Sequence, residues 1–281
     1  MNFIDDSKIP DSPYPELRDV LHALVDAVSA EVGDNLVGIY LVGSLASGDF
    51  DLDSDVDFLV VTKAALTEAE MKPLQEAQTR IHALDCYPAK HLEGSYIGLS
   101  DLNDWSSVGK KKLYYFDNGS TAYELSTHDN QWHVRWILRE RGITLVGPEP
   151  ITLLPPIPPY ELAGEVRTVM LEILDLFREE IDRPLSFFNS RFGQSFTVLT
   201  CCRILHTLST GTIQSKRVGV IWARQVLDPK WIHLIDQAWE ERKGVRFGVK
   251  AGQRAQAALL SETLEFIQYA IAAGQDKPLI K

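Results

Sequence analysis

Residues 41–62, from Leu41 to Thr62, read LVGSLASGDFDLDSDVDFLVVT. The stretch closes one apolar run, turns at Gly43-Ser44, and crosses a polar loop. It then brings two aspartates to the mouth of a second apolar run. Leu36–Leu41 is short, contains β-branched and aromatic residues and lacks helical spacing, which predicts a buried strand ended by Gly43 and Ser44. Val56–Val61 predicts the next strand. Asp55 and Asp57 flank Val56. Strand side chains alternate faces at a rise of ~3.3 Å per residue, so the two carboxylates share a face with Cα atoms about 6–7 Å apart. Such a pair can converge on one hard cation. Gly43 has no Cβ, so a triphosphate can approach its backbone closely, and Ser44 offers a hydroxyl and an N–H to phosphate oxygens. Mg²⁺ held by Asp55 and Asp57 would bridge those oxygens. The alternative is a polar turn in which Asp55 caps the loop and Asp57 is solvated, since an isolated D-x-D is common. Cost argues for chemistry: two aspartates heading an apolar strand are expensive to bury unless something binds them.

Taken together, Gly43, Ser44, Gly48, Ser54, Asp55 and Asp57 form a G-S, G, S-D-x-D pattern. It resembles the signature of the nucleotidyltransferase superfamily related to DNA polymerase beta. The downstream chain is similar to the aminoglycoside adenylyltransferases that modify streptomycin and spectinomycin, over most of its length from about Leu17. The catalytic pattern is specific for the superfamily and much less so for the acceptor. The resemblance implies an α+β protein: a nucleotidyltransferase domain with a mixed sheet over 1–150, a Pro-rich linker over 151–159, and a C-terminal α-helical bundle over 160–281. The active site is expected between the halves. It further implies Mg²⁺-dependent transfer of AMP from ATP to a hydroxyl of an aminoglycoside-like small molecule, with release of pyrophosphate. Asp55 and Asp57 would hold the metal. Gly43, Ser44 and Ser54 would seat the nucleotide, Glu93 would be the general base, and Arg203 and Lys216 would reach the phosphates.

Physical chemistry supports these roles to different degrees. Glu93 lies in His91–Ile97, which predicts a third strand. A carboxylate close to two others has a contested pKa and can accept a proton. A surface glutamate beside a Gly bend is the plain alternative, and Asp85 competes for the role if the strand is offset. Arg203 sits in the apolar helix Phe196–Leu205, where a guanidinium has fixed, forked donors. An ion pair inside the bundle would also explain it. Lys216 follows Ser215 and offers a mobile point charge, or is simply a helix-start lysine in solvent.

The rest of the first half carries ordinary signals. Leu17, Val20, Leu21, Leu24, Val25 and Val28 recur at helical spacing. Thr67 with Glu70 predicts a capping box for a helix to about Ala83, with Pro73 tolerated at some distortion. Tyr114 and Tyr115 suit a strand, and Lys110–Lys112 a solvated face or a phosphate contact. His128-Asp129-Asn130 leads into a helix over Trp132–Leu138, and a helix-start cap at Asp129 or Asn130 accounts for it. Pro148–Pro159 holds six prolines and cannot continue a helix or a central strand. Beyond it, helices are expected at Leu162–Ile181, Ser195–Leu208, Lys216–Leu227, Trp231–Glu241 and Gln253–Ala273, with short connections that suit a bundle.

Composition sets bounds. Of 281 residues, 28 are Lys or Arg and 39 Asp or Glu, for a net charge of −11. That argues against an extended nucleic-acid partner, which needs a positive footprint, and is compatible with a cationic substrate. Cys86, Cys201 and Cys202 have no metal-ligand spacing and fit reduced thiols. The acidic, Pro-broken N-terminus does not read as a signal peptide, and no apolar run reaches the ~20 residues of a membrane span. A cytoplasmic protein, with a monomer as the favoured state, is expected.

One stretch departs from the pattern. Streptomycin and spectinomycin modifiers place aspartates, with a tryptophan nearby, just before the helix corresponding to Ser195–Leu208. Here residues 183–193 contain no acid and two arginines, and the nearest acid is Asp182. Three readings therefore stand: an aminoglycoside adenylyltransferase, an adenylyltransferase for another alcohol or for a protein or RNA hydroxyl, and a non-catalytic nucleotide-binding protein. The intact Asp55, Asp57 and Glu93 weigh against the third.

Overall fold

The computed structural model describes residues 4–184, 186–244 and 250–275. The chain divides into two compact units, Met1–Ile157 and Pro158–Lys281.

The first unit begins with helix α1 (Leu17–Val32), which buries Leu17, Val20, Leu21, Leu24, Val25, Val28 and Val32 along one stripe. Strand β1 (Leu36–Leu41), the short helix α2 (Gly43–Ser47), strand β2 (Val56–Thr62) and helix α3 (Glu68–His82) follow. Then come α4 (Tyr87–Lys90), β3 (Leu92–Gly98), α5 (Leu99–Asn103), β4 (Leu113–Phe116), β5 (Glu124–Ser126), α6 (Trp132–Arg141) and β6 (Ile143–Val146). The strands make one mixed sheet in the order β5-β4-β3-β2-β1-β6. The β2/β3 pair is parallel, and the other neighbours are antiparallel. The parallel pair requires a crossover, and α3 and α4 provide it.

Sidedness of the sheet positions the chemistry. Val56, Phe58 and Val60 of β2 share a core with the buried stripe of α1 and with Met71, Leu74 and Ile81 of α3. The alternate residues of β2 therefore leave the opposite face. Leu59 and Val61 are buried there too, so β2 is apolar on both sides after its first residues. Asp57 stands at the head of that second face.

Several local expectations change in the structure. Gly43-Ser44 is the first turn of α2 rather than a simple turn, and Gly48, in the left-handed conformation, closes that helix. Strands β5 and β6 went unanticipated. Helix α3 has the expected capping box at Thr67 and Glu70 and runs through Pro73. The cap of α6 is Gln131, not Asp129 or Asn130. Asn130 is buried and donates instead to the carbonyls of Ser107 and Lys111. Part of the Pro-rich stretch is tied to the first unit: Asn103 Nδ2 donates to Leu153 O at 3.0 Å, and Arg139 Nε to Leu154 O at 3.2 Å.

The second unit contains α7 (Pro159–Glu180), α8 (Arg191–Thr210), α9 (Lys216–Val226), α10 (Ile232–Arg242) and α11 (Ala257–Gln275). Helix α8 packs against the other four. It is accordingly buried on nearly every side, polar Gln194, Ser195, Thr197, His206 and Thr207 included. Cys201 and Cys202 lie fully buried on it as free thiols, and burial pushes the Cys201 thiol up to about 12, which leaves it unreactive. Among the described residues no helix is long and apolar enough to cross a membrane.

Candidate active site

Asp57 and Glu93 are register partners across the parallel β2/β3 pair. Partners in a parallel ladder project from the same face of strands ~4.8 Å apart, so the two carboxylates sit side by side. Asp55 precedes the strand on the same face. Its Oδ1 accepts from Asn118 Nδ2 at 2.6 Å and lies 3.8 Å from His91 Nδ1. His91 Nδ1 and Asn118 Oδ1 are 2.9 Å apart, so this pair braces Asp55 from the β4 side. Asp85 lies exposed in the bend ahead of α4, outside β3.

Gly43 and Ser44 meet β2 at the head of that face. Gly43 has φ +59°, and a Cβ there would lie 1.8 Å from Asp57 Oδ2. Only glycine allows this backbone to rest against that carboxylate. Ser44 Oγ is buried and has no hydrogen-bond partner. An unpaired buried hydroxyl is unfavourable unless a ligand completes it. Ser54, also buried, is already engaged: Oγ donates to Asp51 Oδ1 at 2.8 Å and accepts from Asp51 N at 3.0 Å. It shapes the loop that delivers Asp55.

Glu93 has its own surroundings. Oε1 accepts from Tyr115 Oη at 2.5 Å, and His128 Nδ1 lies 3.9 Å away. Burial pushes the Glu93 carboxyl up to about 7, opposed by the Tyr115 hydrogen bond and the charge of His128 and reinforced by Asp55 and Asp129. Such a carboxyl is a competent proton acceptor near neutral pH. His128 bonds Asp129 Oδ1 at 2.9 Å, which holds its imidazole above the ordinary histidine range. The ring is 56% exposed, so solvent screens part of that effect.

Oxygen donors and an accumulation of negative charge fit a hard divalent cation at Asp55 and Asp57. Among the described residues no group of three or more His, Cys, Asp or Glu side chains is arranged to hold a metal. A cation bound here would take Asp55 and Asp57 as its protein ligands and would need further oxygens from elsewhere.

Arg203 and Lys216 belong to the second unit and lie along the α8–α9 edge. Arg203 Nε donates to Gln214 O at 3.0 Å, just before α9, and Gly219 leaves room for its stem. Lys216 Nζ lies 5.8 Å from the centre of the Phe196 ring, one side of a cluster with Phe187 and Phe192. The acid-free stretch before α8 is less cationic than its composition predicts. Arg191 makes a bidentate pair with Glu241 of α10, Nε and Nη2 donating at 3.0 and 2.7 Å.

The sequence reading missed Tyr115, His128, Asp129, Ser95 and Asn118 as site neighbours. They come from β3, β4 and the loops after β4 and β5, and strand pairing together with side-chain hydrogen bonds assembles them. Alternation along Leu113–Phe116, which puts Tyr115 opposite Ser95, was the available signal.

Comparison with known proteins agrees with this geometry. Residues 21–98 match a nucleotidyltransferase domain model, and residues 152–268 match the model of the aminoglycoside adenylyltransferase C-terminal domain. A spectinomycin 9-adenylyltransferase of Staphylococcus aureus is 27% identical over 223 residues, covering 76% of this chain and 79% of that protein. One from Campylobacter jejuni is 26% identical over 216 residues, 74% and 79%. The fold also matches the crystal structure of spectinomycin adenyltransferase AAD(9) from Enterococcus faecialis, solved with ATP and spectinomycin. The TM-score is 0.68 and the identity 16%, over 91% of this chain and 99% of that one. With a nucleotidyltransferase domain followed on the same chain by the C-terminal domain of aminoglycoside adenylyltransferases, the protein is an adenylyltransferase.

Proposed function

We propose that this enzyme transfers AMP from ATP to a hydroxyl of spectinomycin or a similar aminocyclitol and releases pyrophosphate. The observation that carries the reading is the side-by-side placement of Asp57 and Glu93 on β2 and β3, next to Gly43. Glu93 takes the proton of the acceptor hydroxyl, the hydroxyl oxygen attacks the α-phosphorus, and the bond to the β-phosphate leaving group breaks. Asp55 and Asp57 would hold Mg²⁺, which supplies charge neutralisation on the phosphate oxygens. Ser44 donates its unpartnered hydroxyl to the nucleotide phosphates. Ser54 acts indirectly, through the Asp51 contact that fixes the loop. Arg203 and Lys216 offset triphosphate charge.

The acceptor assignment rests on the named relatives. Residues 183–193 lack the acids that would pair with a cationic acceptor, and this keeps an adenylyltransferase for another acceptor as the competing reading.

The test is pyrophosphate release from labelled ATP with Mg²⁺ and a panel of spectinomycin, streptomycin and other aminoglycosides. Turnover with spectinomycin, abolished by EDTA and restored by Mg²⁺, is expected. Turnover confined to other alcohols or to protein or RNA hydroxyls would transfer the reading to an unrelated acceptor. Nucleotide binding without turnover would leave a binding protein. Glu93→Gln should retain ATP binding and lose about 100-fold or more of kcat; unimpaired turnover would refute the base assignment.

A further inference from the structure

Glu93 presents two oxygens, and their surroundings differ. Oε1 receives the Tyr115 hydroxyl at 2.5 Å and faces His128 at 3.9 Å. A phenol has one proton to donate. Tyr115 Oη also lies 3.1 Å from Asp117 Oδ1, and the shorter contact to Glu93 takes the proton. The Tyr115 ring is itself fixed. It is 4% exposed, sits opposite Ser95 in the β3/β4 register, and stacks on the His128 imidazole with centroids 4.9 Å apart. Asp129 closes the circuit by accepting from Ser95 Oγ at 2.7 Å through one oxygen and bonding His128 at 2.9 Å through the other. The circuit therefore runs from β3 through the loop after β5 to β4 and returns to β3.

The geometry points to Tyr115 as a positioning residue for Glu93: it occupies one carboxylate oxygen, with the His128–Asp129–Ser95 chain as its brace, so that the second oxygen is the one that meets the acceptor hydroxyl. The inference rests on the proposed base role of Glu93 and adds how that base is oriented. A carboxylate free to rotate would offer either oxygen at many angles, and misalignment of a reacting group lowers the rate even when binding is intact. Burial and the bond to Glu93 hold the Tyr115 hydroxyl far above its ordinary value, so it remains a donor. None of the circuit's residues has been assigned to the nucleotide, so the effect expected here is on the rate and not on ATP binding, unlike that of Ser44 or Asp57.

Tyr115→Phe keeps the ring and its stacking and removes only the donor. With ATP, Mg²⁺ and spectinomycin, kcat should fall about 10- to 100-fold, as expected for loss of one hydrogen bond to a charged group. The KM for ATP and the thermal midpoint should stay within about twofold and about two degrees of wild type. In a Glu93→Gln background the same change should cost no more than about twofold further, because the two act as one unit. Full kcat in Tyr115→Phe overturns the inference, as does a parallel loss of ATP affinity, stability and rate, which is the mark of a structural role. If Glu93→Gln is itself fully active, the base reading has failed. If Glu93→Gln is inactive while Tyr115→Phe is unaffected, only the positioning has failed. Proton NMR gives a readout that needs no acceptor. A far-downfield hydroxyl resonance is expected in the wild-type protein and absent in Tyr115→Phe, and its absence from the wild type overturns the short bond.

Discussion

A methyl group added to Gly43 would lie 1.8 Å from Asp57 Oδ2, on a backbone whose φ of +59° side chains seldom adopt. Gly43→Ala therefore strains the turn by roughly 1–3 kcal/mol and drives the Asp57 carboxylate out of place. Displacement by about an ångström can cost ~100-fold in rate. Gly43→Ala should thus show the activity loss of Asp57→Asn together with a lower thermal midpoint that Asp57→Asn lacks. Equal activity in Gly43→Ala and wild type would mean that the close approach is unimportant. Ser44 provides the opposite case. Its buried Oγ lacks a partner in the free protein, so Ser44→Ala removes a cost there and should leave stability unchanged or raise it by up to ~1 kcal/mol. ATP affinity should fall about 5- to 10-fold in the same variant. Denaturant midpoints and ATP titration check the pair of signs; a destabilised variant with normal ATP binding would contradict both.

At the scale of elements, α3 separates stability from chemistry. Its Met71, Leu74 and Ile81 bury into the core shared with α1, on the sheet face away from Asp57. Thr67 caps it, with Thr67 N donating to Glu70 Oε2 at 2.7 Å. Thr67→Ala should cost about 1 kcal/mol of stability and leave kcat unchanged. A changed kcat would show that α3 communicates with the site. The same capping box was readable in the sequence because all its parts lie within four residues. Helix α1 was readable because its stripe repeats through four turns, and β1 and β2 because apolar runs bounded by loops admit little else. Strand β6 was not. Four residues between Gly142 and Gly147 carry too little pattern, and it is the pairing with β1 that makes them a strand. The site divides in the same way. Asp55 and Asp57 stand out by local spacing, whereas Glu93 becomes a candidate only through the family resemblance, since its strand position alone also fits a surface glutamate. Tyr115 and Asp129 matter only through partners far along the chain, and Asp129 read alone looks like a cap. Gln131 took that position because Asp129 is committed to Ser95 and His128.

For the whole molecule, charge makes the two substrates respond differently to salt. The chain carries a net −11, and its proposed substrates are a cationic acceptor and an anionic nucleotide. Long-range attraction speeds encounter with the acceptor and opposes encounter with ATP, and both effects are screened as the Debye length shrinks from ~10 Å at ~0.1 M salt. Close ion pairs at the site are screened far less, so the salt response reports the overall field. Raising ionic strength from roughly 0.05 M to roughly 0.5 M should lower kcat/KM for spectinomycin by about 3- to 10-fold. The value for ATP at saturating acceptor and fixed free Mg²⁺ should hold steady or rise. General inhibition by salt would lower both together, so the ratio of the two constants is the quantity to measure. A ratio that does not move with salt would mean that the acidic surface has no part in acceptor capture. The excess of acids would then have to be explained by solubility or by a partner other than a cationic small molecule.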